Sequence, residues 1–146
     1  HTAPGIIREC GEAGTRGIVL ISAGFGEIGA EGKELEQQVL AEKNKFKGML
    51  LLGPNCLGII VPGISLNASF AAATPKKGHI GFISQSGAFI ISTLSDEPWL
   101  DPRYALSIGN QIDLTAGDLL SCLADDDGID LIVLFEPEIR VTDIEP

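Results

Sequence analysis

The chain has 146 residues, a formal net charge of −10 and a hydrophobic content of 45%, with 18 glycines but one tryptophan and one tyrosine. This composition favours an aliphatic α/β core with many short loops, and the charge argues against nucleic acid or an anionic membrane as a partner. No apolar run approaches the ~20 residues of a membrane span. Three cysteines that lie far apart, without a CxxC pair, predict reduced thiols in the cytoplasm, with neither a disulfide framework nor a zinc site.

The first part of the chain alternates helices with short apolar strands. The pattern predicts a helix over residues 3–14, a strand over 17–22, a glycine-rich loop over 23–32, a helix over 33–45 and a strand over 49–52. Continuous apolar strands that alternate with helices indicate a parallel sheet covered on both faces.

This alternation breaks over residues 62–78, which are rich in Pro, Gly and Ala and predict an extended connector. A second series follows, with strands predicted over 79–84, 104–108 and 131–135 and helices over 87–94 and 114–124. The organisation therefore indicates the end of one doubly wound domain joined to the start of another. Because the chain opens on a helix without a preceding strand and stops just after a strand, we expect it to be a piece of a longer protein.

The glycine-rich loop matches the GxGxxG pattern of dinucleotide-binding proteins at Gly24, Gly26 and Gly29. Two features count against a nicotinamide cofactor. The helix is expected to begin only near residues 31–33, and the next strand ends in Gly53-Pro54-Asn55, without an acidic residue to hold a ribose hydroxyl. The alternatives are a flexible loop that needs positive φ and a backbone edge that a nucleotide-like or pantetheine ligand approaches.

A second candidate site is the turn Ser84-Gln85-Ser86-Gly87, between a buried strand and the first turn of a helix. Such a turn leaves backbone N–H groups at the positive end of the helix dipole, beside two hydroxyls. It can therefore hold a phosphoryl group or another anion. The alternative is an N-cap serine on an ordinary strand-to-helix loop.

Four segments carry a resemblance to a known family: residues 21–27 (ISAGFGE), 53–58 (GPNCLG), 84–88 (SQSGA) and 107–110 (SIGN). In this order they closely resemble the NDP-forming acyl-CoA synthetases, the superfamily of ADP-forming acetyl-CoA synthetase and the succinyl-CoA synthetase α subunit. The resemblance implies an α/β fold: the C-terminal part of a Rossmann-like CoA-binding domain, residues 1–75, then the first half of a flavodoxin-like, succinyl-CoA ligase-like doubly wound domain, residues 76–146.

The resemblance also implies two sets of ligand contacts. Ser22, Ala23 and Gly24 would contact CoA, and Asn55 and Cys56 would lie near its thiol end; for Cys56 the alternative is a small buried thiol. The implied phosphate-binding residues are Ser84, Gln85, Ser86, Gly87, Ser107, Gly109 and Asn110. For Asn110 the alternative is a turn residue that tolerates a left-handed conformation.

The family passes phosphate through a phosphohistidine, which the resemblance places outside this chain. The chain has only His1 and His79, neither of them where the family has a catalytic residue. A family glutamate that orients the histidine aligns with Pro137; Glu136 or Glu138 could substitute for it, and a solvated pair of carboxylates is the alternative. We assign no catalytic residue and no metal ligand within this chain, and the run Asp125-Asp126-Asp127 predicts a charged turn after a helix.

By resemblance, the intact protein would interconvert acyl-CoA, ADP and phosphate with acid, CoA and ATP. This chain would bind CoA, a substrate, and a phosphoryl group without turnover, while ATP or ADP and Mg would bind elsewhere. Expected partners are CoA or acyl-CoA, phosphate and an ATP-grasp domain or subunit, in an oligomeric cytoplasmic protein. One alternative is a non-catalytic CoA-sensing region of a protein lysine acetyltransferase, and another is a nicotinamide oxidoreductase, which would bind NADH and not CoA.

Overall fold

The computed structural model describes residues 2–97 and 99–136 as four helices and seven strands. In chain order these are α1 (Ala3–Glu12), β1 (Gly17–Val19), α2 (Ala30–Lys43), β2 (Leu50–Leu52), β3 (Gly58–Val61), β4 (Leu66–Ser69), β5 (Ile80–Ser84), α3 (Gly87–Asp96), β6 (Pro102–Ser107), α4 (Ala116–Ala124) and β7 (Leu131–Phe135). Short 3-10 turns occupy Gly26–Ile28 and Pro62–Ile64. Every helix and strand predicted from the sequence is present, with shifts at the ends, and the predicted α/β class is confirmed.

The first sheet contains β1 and β2, which are parallel, with Gly17 opposite Leu50. The other edge of β2 is covered by residues 110–114. The amides of Asn110, Ile112 and Leu114 donate to the carbonyls of Pro54, Gly53 and Leu51 in turn. Asp113 anchors this segment, because its carboxylate accepts from the Leu51 amide at 2.8 Å and pairs with the Lys43 ammonium at 2.6 Å. The chain after β6 is therefore fastened to the first sheet.

The second sheet has the strand order β4-β3-β6-β5-β7. Its centre is parallel, since β5 pairs with both β6 and β7, and Ser84 at the end of β5 lies opposite Ser107 and Phe135. The carboxyl ends of these three strands therefore meet at one edge, where doubly wound sheets bind their ligands.

An antiparallel hairpin, β3–β4, was not predicted from the sequence. It occupies residues 58–69, and β3 also runs antiparallel to β6, so the hairpin extends the second sheet. Residues 62–78, expected to be an extended connector, therefore contain strand β4. Assignment of residues 1–75 and 76–146 to two domains stays a prediction.

In the part of the chain that the structure describes, the buried apolar side chains form three clusters, and one of them joins the two sheets. It contains Leu52 of the first sheet together with Ile83 and Leu106 of the second, packed against α4 through Leu123. Burial of each such side chain contributes about 1.5–3 kcal/mol. Among residues 2–97 and 99–136, no helix is long and apolar enough to cross a membrane.

Candidate functional site

The four segments singled out in the sequence contact one another at the strand ends. We name them the glycine loop (residues 22–29), the proline loop (53–57), the serine turn (84–87) and the asparagine loop (107–111). Backbone hydrogen bonds of 2.9 Å link them in series: Asn55 donates to Ser22, Asn110 donates to Pro54, and Ile108 donates to Ser84. The structure thus brings the predicted CoA and phosphate residues to one edge.

Close backbone packing holds the asparagine loop on the proline loop. Gly109 has a φ of +57°, and a Cβ built on it would lie 2.0 Å from the Pro54 carbonyl oxygen. The Asn55 side-chain amide donates to the Asn110 side-chain oxygen at 3.3 Å. Below them Ser107 is fully buried, and its Oγ accepts from the Leu57 amide at 2.9 Å. The Ser107 hydroxyl therefore supports the proline loop from within.

The serine hydroxyls form hydrogen bonds within the serine turn and at the start of α3. Ser86 is the N-cap, and its Oγ accepts from the Phe89 amide at 3.3 Å. Ser84 is fully buried, and its Oγ accepts from the Ser86 amide at 3.1 Å and donates to the Ser86 carbonyl at 2.9 Å. Gly87 packs against Leu57, because a Cβ on it would lie 2.6 Å from the Leu57 Cβ. The N-cap alternative thus describes the Ser86 hydroxyl, whereas the Ser84 hydroxyl bonds within the turn.

The first-turn amides are the groups of the serine turn that suit an anion. The amides at the start of a helix have no acceptor within the helix, and they carry the positive end of its dipole. In α3 these are the amides of Gly87 and Ala88, while the exposed Gln85 lies just before them and donates its amide to the Phe135 carbonyl at 3.0 Å.

The glycine loop enters α2 earlier than the sequence indicated. A 3-10 turn at Gly26–Ile28 leads into α2 at Ala30, with Gly29 as the N-cap at a φ of +108°. The expected start near residues 31–33 is therefore wrong, because the loop closes through the 3-10 turn and the last glycine adjoins the first helical turn. The second feature that counts against a nicotinamide cofactor remains, because β2 is followed by Gly53-Pro54-Asn55, without an acidic residue to hold a ribose hydroxyl.

Two glutamates occupy the amides of the glycine loop, and neither was assigned a role from the sequence. Glu27 Oε1 accepts from the amides of Gly24 (2.5 Å) and Phe25 (3.1 Å), and Glu36 Oε1 accepts from the Gly26 amide (3.0 Å). Burial raises the pKa of Glu27, but the hydrogen bonds from Asn110 and from the loop amides outweigh it and hold the pKa below its ordinary value. Glu27 closes the ISAGFGE motif, whereas no sequence signal marks Glu36.

The side chain of Asn110 joins these glutamates. Its Nδ2 donates to Glu27 Oε2 at 2.7 Å and to Glu36 Oε1 at 2.8 Å, while its Oδ1 accepts from Asn55. One side chain therefore links the asparagine loop to the glycine loop, to α2 and to the proline loop. Its place in the network depends on this amide, which supplies donors and an acceptor together.

Cys56 lies beneath the proline loop with its thiol protonated. It is 4% exposed, and its Sγ donates to the Leu20 carbonyl at 3.5 Å. Burial raises the pKa of this thiol to about 11. Since the thiolate is the nucleophilic form of cysteine, Cys56 has the character of a small buried thiol at neutral pH.

A cavity of about 540 Å³ opens beside the glycine loop. Ser22, Ala23 and Gly24 form one wall, so three predicted CoA contacts share one cavity, and α2 forms another wall with Glu31 and Glu34. A second cavity, of about 440 Å³, is apolar, lies between the two sheets and α4, and contains none of the predicted site residues.

Glu136 follows β7 at the same edge. Its Oε1 accepts from the Gln111 Nε2 at 2.6 Å, and Gln111 Oε1 in turn accepts from the Ala116 amide at the start of α4. Glu138, the other candidate, lies outside the described residues. Among residues 2–97 and 99–136, no group of three or more His, Cys, Asp or Glu could hold a metal ion.

The chain is similar to known proteins in both sequence and fold. Residues 77–141 match the family model described as the succinyl-CoA ligase like flavodoxin domain. Over 134 residues the chain is 42% identical to the ADP-forming acetate–CoA ligase I of Archaeoglobus fulgidus, and over 136 residues it is 41% identical to the α subunit of the ADP-forming acetate–CoA ligase II of Pyrococcus furiosus. The resemblance to the NDP-forming acyl-CoA synthetases is confirmed.

A solved member of this group has the same fold. The acetyl-coenzyme A synthetase 1 of Ca. Korarchaeum cryptofilum, in complex with phosphate and ADP, matches 96% of this chain with a TM-score of 0.87 and 32% identity. The chain spans 30% of that protein, and 19% and 29% of the two ligases. The predicted succinyl-CoA ligase-like flavodoxin fold is thereby confirmed.

Proposed function

We propose that this chain supplies the CoA-binding and phosphate-binding loops of an ADP-forming acyl-CoA synthetase. The observation that carries the proposal is the convergence of the four loops, in which Asn110 bonds to the glycine loop and the proline loop and Ile108 bonds to the serine turn. The four loops thereby form one continuous, hydrogen-bonded edge. Ligases of this class need such an edge, because the CoA thiol and the phosphate react at the same carbonyl carbon.

The CoA part of the proposal rests on the cavity beside the glycine loop. Ser22, Ala23 and Gly24 present backbone and small side chains there, and Gly24 has a φ of +95° that L residues rarely adopt. A wall of this kind admits a thin amide-containing chain such as the pantetheine arm. Asn55 bonds to Ser22, and we place the thiol end of CoA near Asn55 and Cys56.

The phosphate part of the proposal rests on the start of α3. The amides of Gly87 and Ala88 would bind phosphate, with Gln85 beside them and Asn110, Gly109 and Ser107 shaping the neighbouring loop. In the reaction, a phosphate oxygen attacks the thioester carbonyl, the C–S bond breaks, and CoA leaves and takes up a proton. A histidine nitrogen then attacks the phosphorus of the acyl phosphate, the bond from phosphorus to the acyl oxygen breaks, and the carboxylate leaves as the acid product. The phosphohistidine in turn passes the phosphoryl group to ADP, and the imidazole is regenerated.

We place the histidine, the nucleotide, Mg and the ATP-grasp domain or subunit outside this chain, in an oligomeric cytoplasmic protein. Glu136 would orient the histidine through a hydrogen bond, because it directly follows β7 at the same edge as the serine turn. A CoA-sensing region of a protein lysine acetyltransferase would use the same CoA edge. It would differ by binding CoA without a histidine or an ATP-grasp domain elsewhere in the full protein.

Calorimetric titration tests the CoA part. We expect the chain to bind CoA and desulfo-CoA but not NADH, and we expect Ala23→Leu to weaken CoA binding by about tenfold because it fills the cavity wall. The matched control is Ala41→Leu, an exposed position of α2 outside the cavity. Binding of NADH in place of CoA, or equal CoA affinity in the two variants, would contradict the proposal.

Nuclear magnetic resonance tests the phosphate part. We expect inorganic phosphate to shift the amide signals of Gly87 and Ala88 and to leave that of Gly5, in α1, unchanged. A response confined to other amides would contradict the assignment of α3 as the phosphate site.

A further inference from the structure

Three consecutive amides of the glycine loop donate to carboxylates of the same chain. The amides of Gly24 and Phe25 donate to Glu27, and the amide of Gly26 donates to Glu36. In a dinucleotide-binding loop, amides at this point of the fold bind the pyrophosphate. Here carboxylate oxygens occupy that position.

The two carboxylates are held in place from the other side by Asn110. Its side-chain amide donates to both. Glu36 also lies on α2, and this helix packs closely against the glycine loop. A Cβ built on Gly32 of α2 would lie 1.6 Å from the Phe25 carbonyl oxygen. To reach the three loop amides, a ligand phosphate would have to displace both carboxylates. Together the two carboxylates accept from four donor groups, the three amides and the Asn110 side chain. Such charge-assisted hydrogen bonds are stronger than neutral ones.

The surroundings of the loop also oppose a phosphate. Glu31 and Glu34 line the adjacent cavity, and the whole chain has a net charge of −10. No lysine or arginine lines that cavity among the described residues. A dianionic group at this point would therefore face acidic side chains on two sides, without a cation to offset them.

We propose that Glu27 and Glu36 determine specificity: their carboxylates occupy the phosphate-binding amides of the glycine loop, which therefore rejects phosphate and accepts an uncharged ligand segment. The identity of that segment, the pantetheine arm of CoA, rests on the proposed function. The rejection of phosphate does not. With its amides occupied in this way, a loop that matches the GxGxxG pattern would not bind a dinucleotide.

Pyrophosphate titration of the full chain tests the proposal. In Glu27→Ala the amides of Gly24 and Phe25 lose their acceptor, and we expect pyrophosphate to bind about tenfold more tightly than in the matched control Glu31→Ala. Glu31 lines the same cavity and carries the same charge, but it bonds to none of the loop amides. Equal pyrophosphate affinity in the two variants would overturn the proposal. So would a titration in which pyrophosphate shifts amide signals of the serine turn only.

The unaltered chain gives a readout that does not depend on how the variant folds. As Glu27 is protonated on acidification, the amide signals of Gly24 and Phe25 should shift together, with a midpoint below that of an ordinary glutamate. Amides that do not follow this titration would also overturn the proposal. CoA and pantetheine are titrated in parallel. If the chain binds neither ligand while the Glu27→Ala variant gains pyrophosphate binding, the CoA assignment is contradicted. The specificity role of Glu27 is supported in that case.

Discussion

The side-chain amide of Asn110 donates a hydrogen bond of 2.7 Å to the carboxylate of Glu27, although 83 residues separate them. Asn110 follows β6 of the second sheet, and Glu27 follows β1 of the first. The bond therefore joins the two sheets at the edge where the candidate loops meet. A change at Asn110 should affect both the stability of the chain and the position of the glycine loop.

Asn110→Asp would place a third carboxylate against Glu27 and Glu36 and remove two donors. We expect a loss of about 1–3 kcal/mol in the free energy of unfolding, because the glutamates lose their partner and meet a like charge. Urea unfolding at pH 7 measures the loss. The control is Gln37→Glu, the same change from amide to carboxylate at an exposed position of α2, and an equal loss there would contradict the role of Asn110.

Gly109 is expected to tolerate no side chain. Its φ of +57° alone would cost an alanine about 1–2 kcal/mol, and the contact of its Cβ with the Pro54 carbonyl adds about 1–3 kcal/mol through forced backbone movement. Gly14→Ala isolates the first cost, because Gly14 also has a positive φ, +80°, but a Cβ there meets no atom within 4 Å. Thermal unfolding of both variants separates the two contributions, and equal destabilisation would show that the loops do not pack as described.

The elements that the sequence predicted well have a local signal. Strand β7 matches its predicted range because five consecutive apolar residues, Leu131–Phe135, lie between the acidic residues Asp130 and Glu136. The hairpin β3–β4 was missed because its pairing with β6 joins residues such as Ile59 and Leu106, far apart in the chain. Its second strand, Leu66–Ser69, also lacks a continuous apolar run.

The candidate site follows the same rule. The motifs marked Asn110, Gly24 and the serine turn, because each is a short segment with an unusual composition. No local signal distinguishes Glu36, because it lies among other acidic residues on α2. Only the fold brings its carboxylate within 2.8 Å of the Asn110 side-chain nitrogen. Contacts across 74 residues are a property of tertiary packing, which a single sequence does not display.

Asp126 should make the chain sensitive to acid. Its carboxylate accepts from Arg103 and from the Tyr104 hydroxyl, both at 2.7 Å, and from the Gly128 amide, and these bonds hold its pKa well below the ordinary range. Because the unfolded chain binds the proton more readily, this stabilisation is complete above a pH of about 5 and is lost progressively as the pH falls further.

Asp126→Asn should therefore flatten the fall of the urea midpoint between about pH 5 and about pH 2. Asp127→Asn is the matched control, because Asp127 is an exposed neighbour in the same turn. A steep acid limb retained in Asp126→Asn, equal to that of the control, would contradict the prediction.

Cys56 should resist alkylation in the folded chain. With a thiol pKa of about 11 it is overwhelmingly protonated at pH 8, and it is buried, whereas Cys122 is exposed. We expect iodoacetamide to modify Cys56 at least ~100-fold more slowly than Cys122, and at a comparable rate in urea, as measured by mass spectrometry of the peptides. Rapid modification in the native chain would mean that the proline loop opens or that Cys56 ionises. Slow modification would exclude Cys56 as a nucleophile in the folded chain, as expected for a small buried thiol.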